Sequence, residues 1–244
     1  PKLLELSMIT TVAPRLDSWE AIRNAFRWQV PEHFNLAWAC CDRHAENPNA
    51  LALIHVADDG SVERWTFREI QRQANRLANA LVALGLQPGD RVGLVLPQRP
   101  ETGIAHMALY KIGAVALPLA NLFGPEALKY RLSNSGARAV VYDAENREKL
   151  DEIAPGLPDL EFRIQVDDDV AGGELGWSDL LAKGRDQFET RKTHAEDPCW
   201  IVYTSGTTGN PKGALHAHRA LIGHMPGWEL SHDLGPKPGD LAWT

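Results

Sequence analysis

Cysteine is scarce in this chain, which holds only Cys40, Cys41 and Cys199. An odd count without paired spacing excludes a disulfide framework and a thiolate zinc site, so these three are read as buried thiols in a reducing compartment. Long apolar runs are missing too. No stretch approaches the roughly 18 residues needed to span a bilayer. The first residues, with Glu5 placed early, lack the charge, apolar run and small-residue order of a signal peptide. A cytoplasmic protein with no membrane span is the expectation. Positive charge is in deficit, with 25 Lys and Arg against 32 Asp and Glu and a formal net charge of −7. That balance excludes nonspecific affinity for nucleic acid or an anionic membrane. It leaves an anionic small molecule open, because nucleotide sites rely on local amides and hydroxyls. Internal repeats and low-complexity segments are also absent.

What is present is ordinary globular material. At 244 residues and 44% hydrophobic, the chain can build one large core or two small ones unaided. Residues 17–28 predict a short amphipathic helix opened by Asp17 and Glu20, with Trp19, Ile22 and Phe26 on one face packed against the main body. From Trp65 onward the punctuation is regular. Thr66 and Glu69 form a capping box, and Ile70, Leu77, Leu81 and Leu84 line a helix that Gly85 ends. Pro88-Gly89-Asp90 reads as a turn, and Arg91 to Leu96 as a buried strand closed by Pro97. Pro100 opens a helix ended by Gly113, Ala114 to Leu119 is a strand interrupted by Pro118, and Pro125 opens a helix to about Ser135. Ala139 to Tyr142 and Leu160 to Val166 read as further strands, with Ser178 to Lys183 as a short helix.

Continuous apolar strands alternating with helices suit strands covered on both faces. The fold class is therefore α/β, mainly parallel sheets with crossover helices. The acidic stretch from Asp167 to Gly176 lacks calcium-loop spacing and reads as a solvated loop.

The chemistry sits at residues 199–213. Trp200-Ile201-Val202-Tyr203 is a strand that runs into a loop of glycine and hydroxyl residues, after which Ala214 to Ala217 resume extended structure and a helix begins near His218. Gly206, Gly209 and Gly213 allow dihedrals and approaches that a side chain forbids. Thr204, Ser205, Thr207 and Thr208 offer hydroxyls, backbone amides in such a turn converge on an anion, and Lys212 adds a cation. These features suit a polyphosphate. The Walker spacing fails, since Lys212 is followed by Gly213, and the dinucleotide spacing Gly-x-Gly-x-x-Gly fails as well.

The run Tyr203-Thr204-Ser205-Gly206-Thr207-Thr208-Gly209-Asn210-Pro211-Lys212-Gly213 resembles the phosphate loop of the adenylate-forming (AMP-binding) superfamily. Trp65 to Ile70, Gly89 to Val92 and Tyr110 to Pro118 resemble further landmarks of that superfamily. Pro31 to Asn35 and Leu96 to Glu101 are most similar to short- and medium-chain acyl-CoA synthetases. The resemblance implies an incomplete N-terminal large domain of an adenylate-forming enzyme. Residues 1–30 would be an N-terminal extension carrying the amphipathic helix, and residues 31–244 a partial AMP-binding domain truncated at its C-terminal end.

The resemblance also implies an AMP-forming acyl-CoA synthetase with ATP, Mg²⁺ and coenzyme A as cofactor and co-substrates and a small carboxylic acid as substrate. Thr204, Ser205, Gly206, Thr207, Thr208, Gly209, Asn210, Pro211 and Lys212 would wrap the ATP phosphates, with Thr207 or Thr208 assisting Mg²⁺. The family's adenine and ribose motifs and its catalytic lysine lie further along, so no catalytic residue is assigned in this chain, which alone is expected to have negligible ligase activity. An adenylation enzyme that loads a carrier protein and a noncatalytic nucleotide-binding module are the alternatives.

Three further features need a reading. His216, His218 and His224 follow the loop, but the last two do not share a helix face, so packing or capping is expected for them. Tyr203 reads as a strand-end core aromatic, with buttressing of the loop as the alternative. Pro236 to Asp240 reads as a turn, and Leu241 to Thr244 as the start of an apolar run that ends in mid-element.

Overall fold

A computed structural model describes residues 14, 16–57, 59–167, 170, 174–204, 209–232 and 240–242. The turn expected at 236–239, the end of the apolar run at 243–244 and the loop residues Ser205 to Thr208 lie outside the described residues.

The chain forms α1 (Trp19–Ala25), α2 (Leu36–Cys40), β1 (Leu51–Val56), β2 (Val62–Thr66), α3 (Phe67–Ala83), β3 (Arg91–Val95), α4 (Pro100–Ile112), β4 (Val115–Leu119), α5 (Pro125–Ser135) and β5 (Ala137–Tyr142). It continues with α6 (Arg147–Ile153), β6 (Phe162–Gln165), β7 (Leu175–Gly176), α7 (Trp177–Lys183), β8 (Pro198–Thr204), β9 (Lys212–Ala217) and α8 (Ala220–Ser231). Seven strands make one sheet in the order β7-β6-β5-β3-β4-β8-β9. All neighbours are parallel except the last pair, β8 and β9, which are antiparallel. The expectation of a mainly parallel α/β sheet holds, with one antiparallel edge.

The apolar strands read as continuous because successive residues feed opposite layers. Val92, Leu94, Ala116, Ala139, Val141 and Ile164 enter one core with side chains of α2, α3, α4 and α7. Val95, Leu117, Leu119, Val140 and Tyr142 enter a second core with Leu128 and Leu132 of α5 and Leu150 and Ile153 of α6. This double winding follows from chain direction. The step from β3 to β4 and the step from β4 to β5 run opposite ways across the sheet, and right-handed crossovers then place α4 and α5 on opposite faces.

Local signals set the helix boundaries. The capping box at Thr66 and Glu69 is formed in full. Pro100 and Pro125 occupy the first turns of α4 and α5, and both helices stop on left-handed glycines, Gly113 at φ 76° and Gly136 at φ 61°. That region is open to glycine at little cost, so each chain reversal is placed by one residue.

Pro118 does not interrupt β4. It lies opposite Leu94 of β3, while β4 meets β8 only at Ala116 and Trp200. The strand thus continues through Pro118 in register with β3.

Several boundaries differ from the sequence expectation. The first helix is capped by Ser18, whose hydroxyl accepts the Ala21 N–H at 3.2 Å, and not by Asp17. α1 contains no buried residue, and Trp19 is 64% exposed. Phe26 meets Trp28 edge to face, at 4.8 Å between centroids, and the stripe is at most half-buried. The β1–β2 hairpin was not anticipated. Neither strand contains a buried residue, and β2 is polar at Glu63 and Arg64, so the pair lacks the buried run of the main-sheet strands.

The stretch 167–176 is only partly solvated, and residues 168, 169 and 171–173 lie outside the described residues. Asp167 accepts from Arg99 Nη1 at 3.0 Å and from the Ala144 N–H at 2.6 Å. The Glu174 side chain is fully buried and accepts from Arg163 Nη2 at 2.6 Å.

A buried ion pair ties the N-terminal part to the sheet layer. Lys111, 1% exposed, donates to Asp42 Oδ2 at 2.6 Å and to Thr190 Oγ1 at 3.0 Å. The three cysteines are free thiols. Burial pushes Cys40 up to about 11 and Cys41 and Cys199 up to about 12. No helix among the described residues is long and apolar enough to cross a membrane.

Candidate functional site

The glycine- and hydroxyl-rich segment connects two antiparallel strands. β8 and β9 pair from Pro198 opposite Ala217 to Thr204 opposite Lys212, which makes residues 205–211 a hairpin connection. This differs from a strand-to-helix phosphate loop. Because a strand and not a helix follows, no helix N-terminus contributes positive potential at this turn.

Side chains directly opposite in an antiparallel pair emerge on the same face. Thr204 and Lys212 therefore leave the two ends of the hairpin on one side, and both are exposed. Among the described residues, no side-chain hydrogen bond engages Thr204, Asn210 or Lys212. Gly209 has φ 88°, a left-handed turn with nothing within 4 Å of an added Cβ, so its backbone faces open space. Of the nine residues expected to hold phosphate, Thr204, Gly209, Asn210, Pro211 and Lys212 are thus placed around one hairpin tip. Ser205, Gly206, Thr207 and Thr208 lie outside the described residues.

The opposite face of the hairpin is braced by α5. Tyr203 lies opposite Gly213, where an added Cβ would come within 2.9 Å of Ile201 Cγ2 and 3.3 Å of Tyr203 Cζ. Glycine there lets the Tyr203 ring cross the neighbouring strand. The Tyr203 hydroxyl donates to Asn134 Oδ1 at 2.7 Å, and its ring meets Tyr130 edge to face at 6.3 Å. Burial beside Tyr130 raises the Tyr203 hydroxyl above its ordinary range, so it stays protonated and a donor. The Tyr130 hydroxyl donates to the carbonyl of Pro211 at 3.0 Å, on the far side of the turn. Between these contacts the Arg131 guanidinium lies 4.0 Å from the Phe123 ring centroid and 5.7 Å from that of Tyr203.

One helix therefore grips the strand that leads into the loop and the residue that leaves it. Tyr203 acts as a buttress as well as packing on the second core. Tyr130, Arg131 and Asn134 were missed from sequence because their signal is tertiary. Nothing at their spacing on α5 points to a hairpin more than 60 residues away.

The histidines after the loop go to three environments. His216 stacks on Trp200 at 5.1 Å and 23°. His218 is fully buried and its Nδ1 accepts the Leu36 N–H at 3.2 Å. Burial pushes His218 down to about 4, so the ring is neutral. His224 is exposed on α8. A cleft of about 870 Å³ lies between Arg76 and residues 184–189, and none of its lining residues belongs to the hairpin or to α5.

A doubly wound sheet that feeds a glycine- and hydroxyl-lined hairpin defines an α/β domain with a candidate anion site at the carboxyl ends of its strands. The chain belongs to the AMP-binding enzyme family, which it matches over residues 41–243. It is 32% identical over 238 residues to acetyl-coenzyme A synthetase of Escherichia coli K12, covering 90% of this chain and 36% of that protein. It is 34% identical over 207 residues to the human mitochondrial acyl-coenzyme A synthetase ACSM5, covering 82% of this chain and 36% of that protein. Among solved structures, an acyl-CoA synthetase of Brucella canis superposes with a TM-score of 0.79 at 26% identity, over 88% of this chain and 40% of that one. The anthranilate CoA ligase AuaEII, in complex with anthranoyl-AMP, gives a TM-score of 0.70 at 29% identity, over 78% of this chain and 36% of that one. The chain thus spans little more than a third of the length of the relatives it matches.

Proposed function

We propose that this chain is the triphosphate-gripping part of an AMP-forming acyl-CoA synthetase, an acid–thiol ligase acting in the cytoplasm. Residues 31–244 would belong to its large domain and residues 1–30 would be an extension. The observation that carries this reading is the hairpin. Thr204 and Lys212 stand free on one face, Gly209 keeps its backbone open to solvent, and α5 fixes the opposite face.

In the proposed reaction a carboxylate oxygen of the acid attacks the α-phosphorus of ATP, and the bond to pyrophosphate breaks. The thiol of coenzyme A then attacks the acyl carbon and AMP leaves. The first step brings an anion to an anion, so fixed donors on the departing pyrophosphate are what this part of the protein supplies. Thr204 to Lys212 hold the β- and γ-phosphates. The exposed, unpartnered Thr204 hydroxyl fits a site shared by phosphate oxygens and a hard cation. Thr207 and Thr208 are the further hydroxyls proposed for Mg²⁺, which would neutralise phosphate charge when bound.

The test replaces Thr207, Thr208 and Lys212 together by alanine in the full-length synthetase. Removing fixed donors to developing charge is expected to slow adenylation by about 100-fold or more. An unchanged adenylation rate and unchanged ATP affinity refute the assignment. Because this chain spans only 36% of the acetyl-coenzyme A synthetase it matches, we also propose that it has negligible ligase activity alone. AMP formation from ATP and coenzyme A with acetate through octanoate measures this, and robust turnover would overturn it.

A further inference from the structure

Away from the hairpin, the segment before α2 lies antiparallel to the segment that leads toward β8, and His33 forms a bridge with His194. The backbones are locked around that pair. Phe34 N–H donates to Thr193 O at 3.1 Å, Ala195 N–H to Glu32 O at 2.9 Å, and the buried Thr193 hydroxyl to Phe34 O at 2.6 Å. Directly opposite positions put both imidazoles on one face, with ring centroids 4.5 Å apart. Glu32 Oε1 is 3.6 Å from His33 Nε2. One ligand atom from each of Glu32, His33 and His194 lies within 4.8 Å of the other two. The Glu32 side chain is 79% exposed and His194 is also exposed, so two of the three ligands can turn toward an ion without disturbing the core.

We infer that Glu32, His33 and His194 form a binding site for a borderline transition-metal ion of the Zn²⁺ class. Two imidazoles and one carboxylate are a common zinc ligand set that leaves a position for water, and nitrogen ligands select against Mg²⁺ and Ca²⁺. Bonds of about 2.0–2.1 Å set ligand atoms roughly 3.3 Å apart in a tetrahedron, so the side chains must close by about 1.5 Å at most, which χ rotation supplies. The bound ion would staple the N-terminal segment to residues 193–195. That segment also holds the far end of β9, since Arg219 N–H donates to Ala195 O at 2.9 Å. This inference does not rest on the phosphate assignment.

The test is calorimetric titration of the chain with Zn²⁺, repeated with His33→Asn, His194→Asn and Glu32→Gln. One ion per chain is expected, with each histidine variant weakening binding about tenfold or more. Zn²⁺ should raise the thermal midpoint of the wild type and not that of the variants. Millimolar Mg²⁺ should not compete. His194 is exposed, so its variant should keep the metal-free midpoint of the wild type even if the His33 variant folds poorly. No saturable Zn²⁺ binding by the wild type overturns the inference. Zn²⁺ binding of undiminished affinity in His194→Asn does so equally, because the ion is then held elsewhere.

Discussion

Acidification between about pH 7 and pH 5 should destabilise this chain through its buried neutral histidines, His106 and His218, both pushed down to about 4, and the share of His218 can be worked out. Its ring is fully buried, Nδ1 accepts the Leu36 N–H, and the group is pushed down to about 4. In the unfolded chain a histidine titrates near 6.5. The folded pKa of this base is depressed, so the unfolded state binds the proton first. Stability from the neutral ring is therefore complete above about pH 6.5 and is lost as pH falls from there toward 4. At about pH 5 the unfolded histidine is almost fully protonated and the folded one almost fully neutral, a difference of roughly 1.5 pK units or about 2 kcal/mol.

Glu69, which accepts the Thr66 N–H at 2.8 Å and is held below the usual carboxylate range, stays ionised at about pH 5 and does not contribute in this window. The assay is urea unfolding followed by tryptophan fluorescence at the two pH values, in the wild type and in His218→Asn. Asparagine Oδ1 can take the place of Nδ1 as acceptor. The cavity left by the smaller side chain costs the same at both pH values and cancels in the difference. The variant should lose about 2 kcal/mol less than the wild type between about pH 7.5 and pH 5. Equal losses in the two proteins refute the assignment of this pH dependence to His218.

Two further outcomes are expected. Lys111→Met leaves the Asp42 carboxylate in the interior with only Gln71 and Thr190 as donors, and should cost about 3–5 kcal/mol in urea unfolding. Adding Asp42→Leu should recover much of that loss, and a double variant as unstable as the single one would show that packing, not charge, is at stake. Tyr130→Phe removes the bond to the Pro211 carbonyl, so stability should fall by only about 1 kcal/mol. In the full-length synthetase the same change should raise the KM for ATP several-fold, and an unchanged KM would show that this bond does not position the loop.

The sheet and its helices were legible because their causes are local. Pro100, Pro125, Gly113, Gly136 and the Thr66–Glu69 box each act within one turn of the chain, and apolar runs such as Arg91 to Leu96 follow from burial on two faces. The loop drew a phosphate reading for a different reason, since glycine and hydroxyl residues side by side suit a polyphosphate. The β1–β2 hairpin escaped notice because its strands are only half-buried and β2 carries Glu63 and Arg64 in place of an apolar run. The extended structure after the loop was read at Ala214 to Ala217 and forms as β9, but its antiparallel pairing with β8 escaped because neither strand's sequence names its partner. The brace on the loop was out of reach for a third reason. Tyr130, Arg131 and Asn134 become neighbours of Tyr203 and Pro211 only after α5 has crossed the sheet.

That separation has a consequence for the site. Among the described residues read as phosphate ligands, the side chains of Thr204, Asn210 and Lys212 make no side-chain hydrogen bond, whereas the hydrogen bonds from α5 reach Tyr203 and the Pro211 carbonyl. A substitution on α5 should therefore alter how well the loop binds without altering what it binds. A substitution among Thr204 to Lys212 should act on the phosphate contacts while leaving the fold nearly unchanged. Paired measurements of unfolding free energy and ATP KM separate the two groups, because the brace couples those quantities and the tip does not.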